Sequence, residues 1–165
     1  MNIYTQGYAI GGVAPIAIAE LMQRTSLQGS RPICLTAFID GSPYTEWMGR
    51  DVEVKGFASG IYLDTEYTLE EAQLLQLSKE SKGVLSLFYY QNMGSYGCSY
   101  YVGGKAILDR ITIVDKDMKD IDGGREFTGH STQQIIEKLF PLLTGETLGE
   151  AVAAKGKMYL IKNEI

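Results

Sequence analysis

The sequence predicts an α+β fold, in which two to four helices pack on a mostly antiparallel β-sheet in one domain over residues 1–165. Strand patterns outnumber helical patterns, and short turns containing glycine join most neighbouring strand patterns. A few segments carry the capping residues or the apolar spacing of amphipathic helices. A parallel sheet would need a helix between successive strands, and the chain does not sustain that alternation. We therefore expect the helices to cover one face of the sheet.

The N-terminal half contributes mainly strands. Pro15 suits the first position of a helix, where its missing N–H costs nothing. Gly56 and Gly60 divide an apolar segment and mark a turn or bulge. The expected elements are a strand over 2–10, a helix over 15–25, a strand over 31–41, and one bent strand or a strand pair over 52–67.

The clearest helical pattern follows at residues 68–83. Thr68 and Glu71 have the spacing of a capping box, in which each side chain satisfies an unpaired N–H at the helix start. Gly83 is a typical helix terminator, because glycine adopts the left-handed conformation without strain. A buried strand over 84–90 should come next.

The C-terminal part alternates between strand and helix. Ser131 and Gln134 predict a second capping box, and Pro141 should end or kink that helix near Phe140. Thr147 and Glu150 predict a third capping box. The expected elements are a strand over 106–115, a helix from 131, a short helix over 147–154 and a strand over 157–163.

Residues 92–104, with the preceding Tyr89 and Tyr90, hold five of the eleven tyrosines of the chain. Their glycines predict a β-hairpin. Adjacent tyrosines on a strand point to opposite faces, so one of each pair can face outwards. Tyrosine is enriched at protein interfaces, and we expect the outer face of this hairpin to contact a partner. The residues predicted for that contact are Tyr96, Tyr100 and Tyr101.

The acidic segment over 115–126 is predicted to be a solvent-exposed turn. Asp115, Asp117 and Glu126 match three positions of a calcium-binding loop, but Asp120 stands where that loop needs glycine. We therefore expect no metal site. The predicted function of the segment is to attract a basic partner electrostatically. Its predicted contact residues are Asp117, Asp120 and Asp122.

The only tryptophan, Trp47, lies among turn residues. Tryptophan buries well and also dominates many interfaces. Trp47 therefore has two interpretations: it covers the core as a lid, or it is an exposed anchor for the partner.

Composition and charge exclude several classes. The chain has 45% hydrophobic and 21% charged residues, as a globular domain does, and no apolar stretch long enough to span a membrane. The N-terminal apolar run has no preceding Lys or Arg and contains two glycines and a proline, so we expect no signal peptide. The net charge is −5 without any basic block, which argues against nucleic-acid binding. These features favour the cytoplasm, with a virion as the alternative.

A catalytic constellation is not recognisable. Two cysteines are too few for a disulfide scaffold, and we expect Cys34 and Cys98 to be buried thiols, with a single bridge as the alternative. A nucleophilic thiol would need a base, and His130 is the only histidine. No glycine-rich phosphate loop is present. We therefore expect no enzymatic activity and no cofactor.

Three functions remain in order of preference. The first is a non-catalytic binding module, most simply an acidic inhibitor of the immunity or anti-defence type that covers a partner protein with a basic surface. The second is a structural subunit of a larger assembly, such as a phage tail or baseplate, whose apolar ends would be buried in self-assembly. The third is a small thiol-dependent enzyme that uses Cys98 and His130.

Overall fold

One antiparallel sheet organises the chain. The computed structural model describes residues 2–37 and 49–163, and nine strands lie in those ranges. They are β1 (Tyr4–Gly11), β2 (Cys34–Ala37), β3 (Asp51–Gly56), β4 (Gly60–Asp64), β5 (Gly83–Tyr90), β6 (Ser95–Val102), β7 (Lys105–Ile113), β8 (Lys116–Ile121) and β9 (Lys157–Lys162).

The strand order across the sheet is β2-β9-β3-β4-β1-β5-β6-β7-β8. Every neighbouring pair is antiparallel. The first strand lies at the centre, between β4 and β5, and the last strand lies between β2 and β3. The predicted α+β class is therefore confirmed, and the segment over 52–67 forms a strand pair rather than one bent strand.

Four α-helices lie in the described ranges, and the sheet separates them into two pairs. They are α1 (Ile18–Ser26), α2 (Glu71–Lys79), α3 (Thr132–Thr144) and α4 (Leu148–Ala153). Single 3₁₀ turns occupy Pro15–Ala17, Gln91–Met93 and Arg125–Phe127.

Helices cover both faces of the sheet, and the expectation of one covered face is wrong. Ile10 of β1 packs in a core with α1 and α2, whereas the adjacent Ala9 packs in a second core with α3 and α4. The same division holds for Val84 and Leu85 of β5. Neighbouring residues of a strand point to opposite faces, so continuous apolar runs in central strands require cover on both sides. We call these the α1/α2 face and the α3/α4 face.

Helix α2 begins two residues later than predicted, because its N-cap is Glu70 rather than Thr68. No side chain caps it. Tertiary contacts hold the preceding residues extended, because the Tyr8 hydroxyl accepts from the Leu69 N–H at 2.8 Å and donates to the Tyr67 carbonyl at 3.2 Å. The competing bonds to a distant strand therefore override the local capping signal at Thr68.

Helix α3 begins where it was predicted to begin, and it does not end at Pro141, which was one of the two alternatives for that proline. Ser131 and Gln134 form the reciprocal capping box. Pro141 lies inside the helix, which continues to Thr144 and ends at Gly145 with a left-handed φ of 83°. Proline inside a helix costs about 3 kcal/mol. The buried side chains of Phe140 and Leu143 on either side of it stabilise the last turn and offset that cost.

The tyrosine-rich stretch forms the predicted hairpin. Strands β5 and β6 pair from Val84 with Tyr101 to Tyr90 with Ser95. The cross-strand pair Tyr89 and Tyr96 makes an edge-to-face contact, with ring centroids 4.8 Å apart. Aromatic pairs of this geometry add to the stability of a hairpin beyond the area that they bury.

Buried Arg110 of β7 holds the loop between β8 and α3. Its side chain is 3% exposed and faces backbone carbonyls rather than a close carboxylate. The guanidinium donates to the carbonyls of Asp122, Phe127 and His130, the last at 2.9 Å. Each guanidinium nitrogen therefore has an acceptor, and the loop is attached to the sheet.

Buried Lys55 of β3 attaches helix α4 in the same way. Its side chain is 2% exposed, and Nζ donates to the carbonyls of Ala151 and Val152, each at 3.0 Å. Asp64 Oδ2 lies 3.4 Å from the same nitrogen. Burial raises the pKa of Asp64, and the Lys55 charge opposes that rise. A cation at the C-terminal end of a helix also stabilises its dipole.

We expect Lys55→Met to lower the free energy of unfolding by about 3 kcal/mol, because two carbonyls and one carboxylate lose their buried partner. Urea denaturation measures this loss. The matched control is Lys155→Met, which removes an exposed ammonium from the neighbouring turn and should change the midpoint little. Equal midpoints for the two variants would contradict this role of Lys55.

Candidate functional site

Within residues 2–37 and 49–163, helices cover the α1/α2 face at only one end. Helices α1 and α2 pack over the end of the sheet that contains Ile10, Val84 and Tyr101. At the other end, apolar side chains lie in solvent in the described structure: Tyr4 is 60% exposed and Met118 is 52% exposed. We call this surface of β1 and β5–β8 the open face. It consists of Tyr4, Gln6, Ser86, Phe88, Tyr90, Ser99, Asp109, Ile111, Ile113, Lys116, Met118 and Ile121.

Strand register brings these side chains together in rows across the sheet. The outermost row is Tyr4, Tyr90, Ser95, Ile113 and Lys116. The second row is Gln6, Phe88, Gly97, Ile111 and Met118. The third row is Tyr8, Ser86, Ser99, Asp109 and Ile121. Residues from distant parts of the chain thus form one continuous surface.

Aromatic rings dominate the β1–β5 side of the open face. Tyr4 and Tyr90 stack with ring centroids 4.3 Å apart and planes 18° apart. The ring of Phe88 lies 5.1 Å from that of Tyr90. The Tyr90 hydroxyl donates to the side-chain carbonyl of Gln6, and burial raises the pKa of Tyr90, so it remains a protonated donor at neutral pH. The rings are therefore held in place before any partner binds.

Gly97 makes room for one of these rings. The Phe88 side chain occupies the space that a Cβ atom at position 97 would need. Any side chain there would displace the ring. Glycine in a strand often marks such a close approach. The absence of a side chain at position 97 therefore lets Phe88 lie along the sheet.

A groove of about 230 Å³ crosses the third row of the open face. Its polar residues include Gln6, Ser86, Ser99 and Asp109, and Tyr67 and Phe88 supply aromatic surface. The Ser99 hydroxyl donates to Asp109 Oδ1 at 3.0 Å. The groove is open to solvent along its length and accommodates one extended side chain rather than a large ligand.

An apolar strip continues the open face onto β7 and β8. Ile113 is 47% exposed and Met118 is 52% exposed, and Ile111 lies between them and the groove. The β7–β8 turn at its end consists of Val114 and Asp115, with φ values of 44° and 68°. Val114 is 67% exposed. An apolar, β-branched residue thus occupies a strained and solvated position.

The tyrosines predicted to bind a partner lie elsewhere. Tyr96 is 8% exposed and belongs to the core of the α3/α4 face, and Tyr101 is 7% exposed and belongs to the core of the α1/α2 face. Tyr100 is half-buried and packs against the core beneath α3. Burial removes Tyr96 and Tyr101 from any surface patch. Tyr90 and Tyr4 present the outward aromatic surface instead.

The predicted acidic residues lie on the edge strand β8 and just after it, all exposed. Asp117 accepts from the Thr112 hydroxyl at 2.5 Å on the α3/α4 face. Asp120 lies where the β7–β8 register shifts. The Asp122 carboxylate is 73% exposed, and its backbone carbonyl receives Arg110. The remaining predicted contact residue, Trp47, lies outside the described residues.

Cys98 and His130 do not form a reactive pair. The Cys98 side chain is 4% exposed in the core beneath α3, and His130 is exposed before that helix. Burial raises the pKa of the Cys98 thiol to about 12, although Arg110 opposes the rise. The thiol is therefore protonated at neutral pH, when thiolate is the nucleophilic form. Cys34 and Cys98 are both free thiols.

Within residues 2–37 and 49–163, no group of three His, Cys, Asp or Glu side chains is close enough to hold a metal ion. The acidic segment forms a two-residue turn and a strand rather than a calcium-binding loop. None of the helices in these ranges combines the length and the apolar character needed to cross a bilayer.

Comparisons with known proteins return no relative: no family model, no curated protein and no solved structure matches the chain. The interpretation of the open face therefore rests on the positions and exposure of its own residues.

We expect Cys98 in a Cys34→Ser variant to react with Ellman's reagent at neutral pH at least about tenfold more slowly than an exposed thiol, because the side chain is 4% exposed and burial raises its pKa. The Cys98→Ser variant, which retains half-buried Cys34, is the control. Both variants should label fully in guanidinium. Fast labelling of Cys98 that slows after His130→Ala would contradict this expectation and support the thiol enzyme.

Proposed function

We propose that this protein is a non-catalytic binding protein that contacts another protein through the open face, as an acidic inhibitor covers its partner. The observation that supports the proposal is the continuity of the exposed side chains Tyr4, Ile113 and Met118 with the half-buried rings between them. Contiguous apolar patches on a protein surface typically mark interaction sites.

The composition of the open face resembles that of interfaces. Stacked Tyr4 and Tyr90 offer large, rigid contact area at low entropic cost, and Met118 adapts to irregular surfaces. Side chains that are ordered before association lose less entropy when a partner binds. The polar groove between the aromatic rings and the apolar strip supplies hydrogen-bonding groups that can fix the orientation of the partner.

The groove offers little for bond-breaking chemistry. Asp109 is the only Asp, Glu, Lys, Arg or His among its described lining residues, and it is bonded to Ser99 rather than to an acid–base partner. General acid–base catalysis uses positioned groups that exchange protons with the substrate in a site closed to water. An open groove with a single carboxylate is better suited to recognition.

Val114 adds an independent argument. Two-residue β-hairpin turns favour Asn and Gly, since both central residues adopt positive φ values. Valine in this conformation is strained by about 1–2 kcal/mol. Its 67% exposure leaves it little packing within the described fold. Strained residues cluster at functional sites, and contact with a partner accounts for an apolar residue at this exposed tip.

Charge defines the kind of partner. The net charge is −5. Lys116 lies opposite Ile113 in the apolar strip, and the exposed Asp120 and Asp122 lie farther along and just after the same edge strand. Acidic groups around an apolar contact surface accelerate association with a basic protein and disfavour acidic ones. Association through the open face should therefore slow as salt concentration rises.

The partner can be identified with a photoreactive amino acid placed at position 113 in the cells that produce the protein. We expect a discrete cross-linked product from position 113 and none from position 142, because Leu142 is 67% exposed on α3 behind the sheet. A product that joins two copies of this chain would favour the structural subunit. Cross-links from position 142 alone would contradict a role of the open face.

We expect Ile113→Glu to weaken binding of that partner at least about tenfold, since the charge would be desolvated within an apolar contact. The matched control, Leu142→Glu, replaces another exposed apolar side chain and should leave affinity unchanged. Titration calorimetry gives both affinities. Equal effects of the two substitutions would contradict the proposal.

We expect Val114→Asn to raise the free energy of unfolding by about 1 kcal/mol, because asparagine adopts positive φ values more readily than valine. The same substitution should weaken partner binding. Thermal denaturation and the calorimetric titration measure the two effects. If stability rises while affinity stays the same, Val114 is not a contact residue.

A further inference from the structure

We infer that the groove in the open face binds an arginine side chain of the partner, with its guanidinium on the carboxylate of Asp109. This inference rests on the proposed function and specifies the chemistry of the contact. It does not follow from net charge alone, because it assigns one carboxylate, one hydroxyl and one aromatic wall to one side chain of the partner.

Asp109 has the capacity for this ion pair. Its Oδ1 accepts from the Ser99 hydroxyl at 3.0 Å, which orients the carboxylate within the groove. Among the described residues, no Lys or Arg side chain lies within ion-pair distance of Asp109. The Asp109 Oδ2 atom accepts no hydrogen bond from any described residue. A half-buried carboxylate with one oxygen available attracts a cation strongly.

The surroundings favour a planar cation on a long apolar stem. Phe88 and Tyr67 line the groove, and aromatic faces attract guanidinium groups. The guanidinium of Arg31 already lies 5.5 Å from the centre of the Tyr67 ring, so Phe88 is the aromatic wall assigned to the side chain of the partner. Ser86 is a further hydrogen-bonding residue along the groove. Arginine carries enough donors to bond both Asp109 and such oxygens.

The geometry favours a side chain of a polypeptide over a free cation. Ile111 lines the groove and also belongs to the apolar strip that runs to Ile113 and Met118. A partner whose backbone lies along the strip would place a side chain in the groove. The groove volume of about 230 Å³ accommodates an extended arginine side chain and leaves its polypeptide outside.

The test uses the peptide acetyl-Leu-Arg-Leu-amide and its citrulline analogue, which has the same shape without the charge. Titration of the protein, followed by amide NMR, should show shifts at Ser86, Ser99 and Asp109. We expect a dissociation constant on the order of 1 mM for the arginine peptide. The citrulline peptide should bind at least about tenfold more weakly, because one charge-assisted pair is lost.

Three substitutions test whether Asp109 is the carboxylate that binds the guanidinium. Asp109→Asn should weaken binding of the arginine peptide at least about tenfold and leave binding of the citrulline peptide unchanged. Glu126→Gln removes an exposed carboxylate outside the groove and should not change either affinity. Ser99→Ala keeps the Asp109 charge and serves as a second variant. We expect it to weaken binding of the arginine peptide only a few-fold. Urea denaturation confirms that each variant is folded.

Each outcome decides between alternatives. Equal binding of the arginine and citrulline peptides, or no shifts in the groove, overturns the inference. If cross-links from position 113 persist in that case, the proposed function survives without it. Spermidine that binds the groove as tightly as the arginine peptide would indicate a site for free polyamines and also overturn the assignment. Selective, Asp109-dependent binding of the arginine peptide supports it.

Discussion

The architecture depends on the apolar character of both faces of the central strands. Ala9 and Ile10 of β1 are both fully buried, each in a different core. Because successive side chains point to opposite faces, the chain must supply helices to both sides of one sheet. Helix α3 contacts β1, β4, β5, β6 and β7 on its side, whereas α1 and α2 pack side by side near one end of the other. This unequal cover produces the open face.

Two buried cations help to hold the layer that covers the α3/α4 face. Lys55 and Arg110 each lie on a strand beneath the α3/α4 face, and each donates chiefly to backbone carbonyls of a segment that packs over the sheet. Carbonyls at the end of a helix or in a buried loop need donors that the local backbone does not supply. The two side chains attach α4 and the loop before α3, so the layer on this face is held by polar contacts as well as by its core.

Sequence patterns predicted the elements better than the surfaces. The fold class, the β5–β6 hairpin and the capping box at Ser131 followed from local signals, since turn glycines and capping spacings act over a few residues. The exposed side of the hairpin did not follow, because Tyr89 and Tyr90 are equally apolar neighbours. Only pairing with β1 decides it, by stacking Tyr90 on Tyr4 while Tyr89 enters a core. The open face therefore has no signal in any single segment.

The edge of the sheet explains why a partner would use the face rather than the strand. Edge strand β8 has backbone groups available for pairing, and such edges invite association with other strands. Its two Lys-Asp pairs, Lys116-Asp117 and Lys119-Asp120, are all exposed, and the register shifts beside Asp120. Charges and irregular register both oppose the addition of another strand. The proposed contact through Tyr4, Ile113 and Met118 uses the open face. There the exposed apolar side chains do not depend on pairing with the backbone of the edge strand.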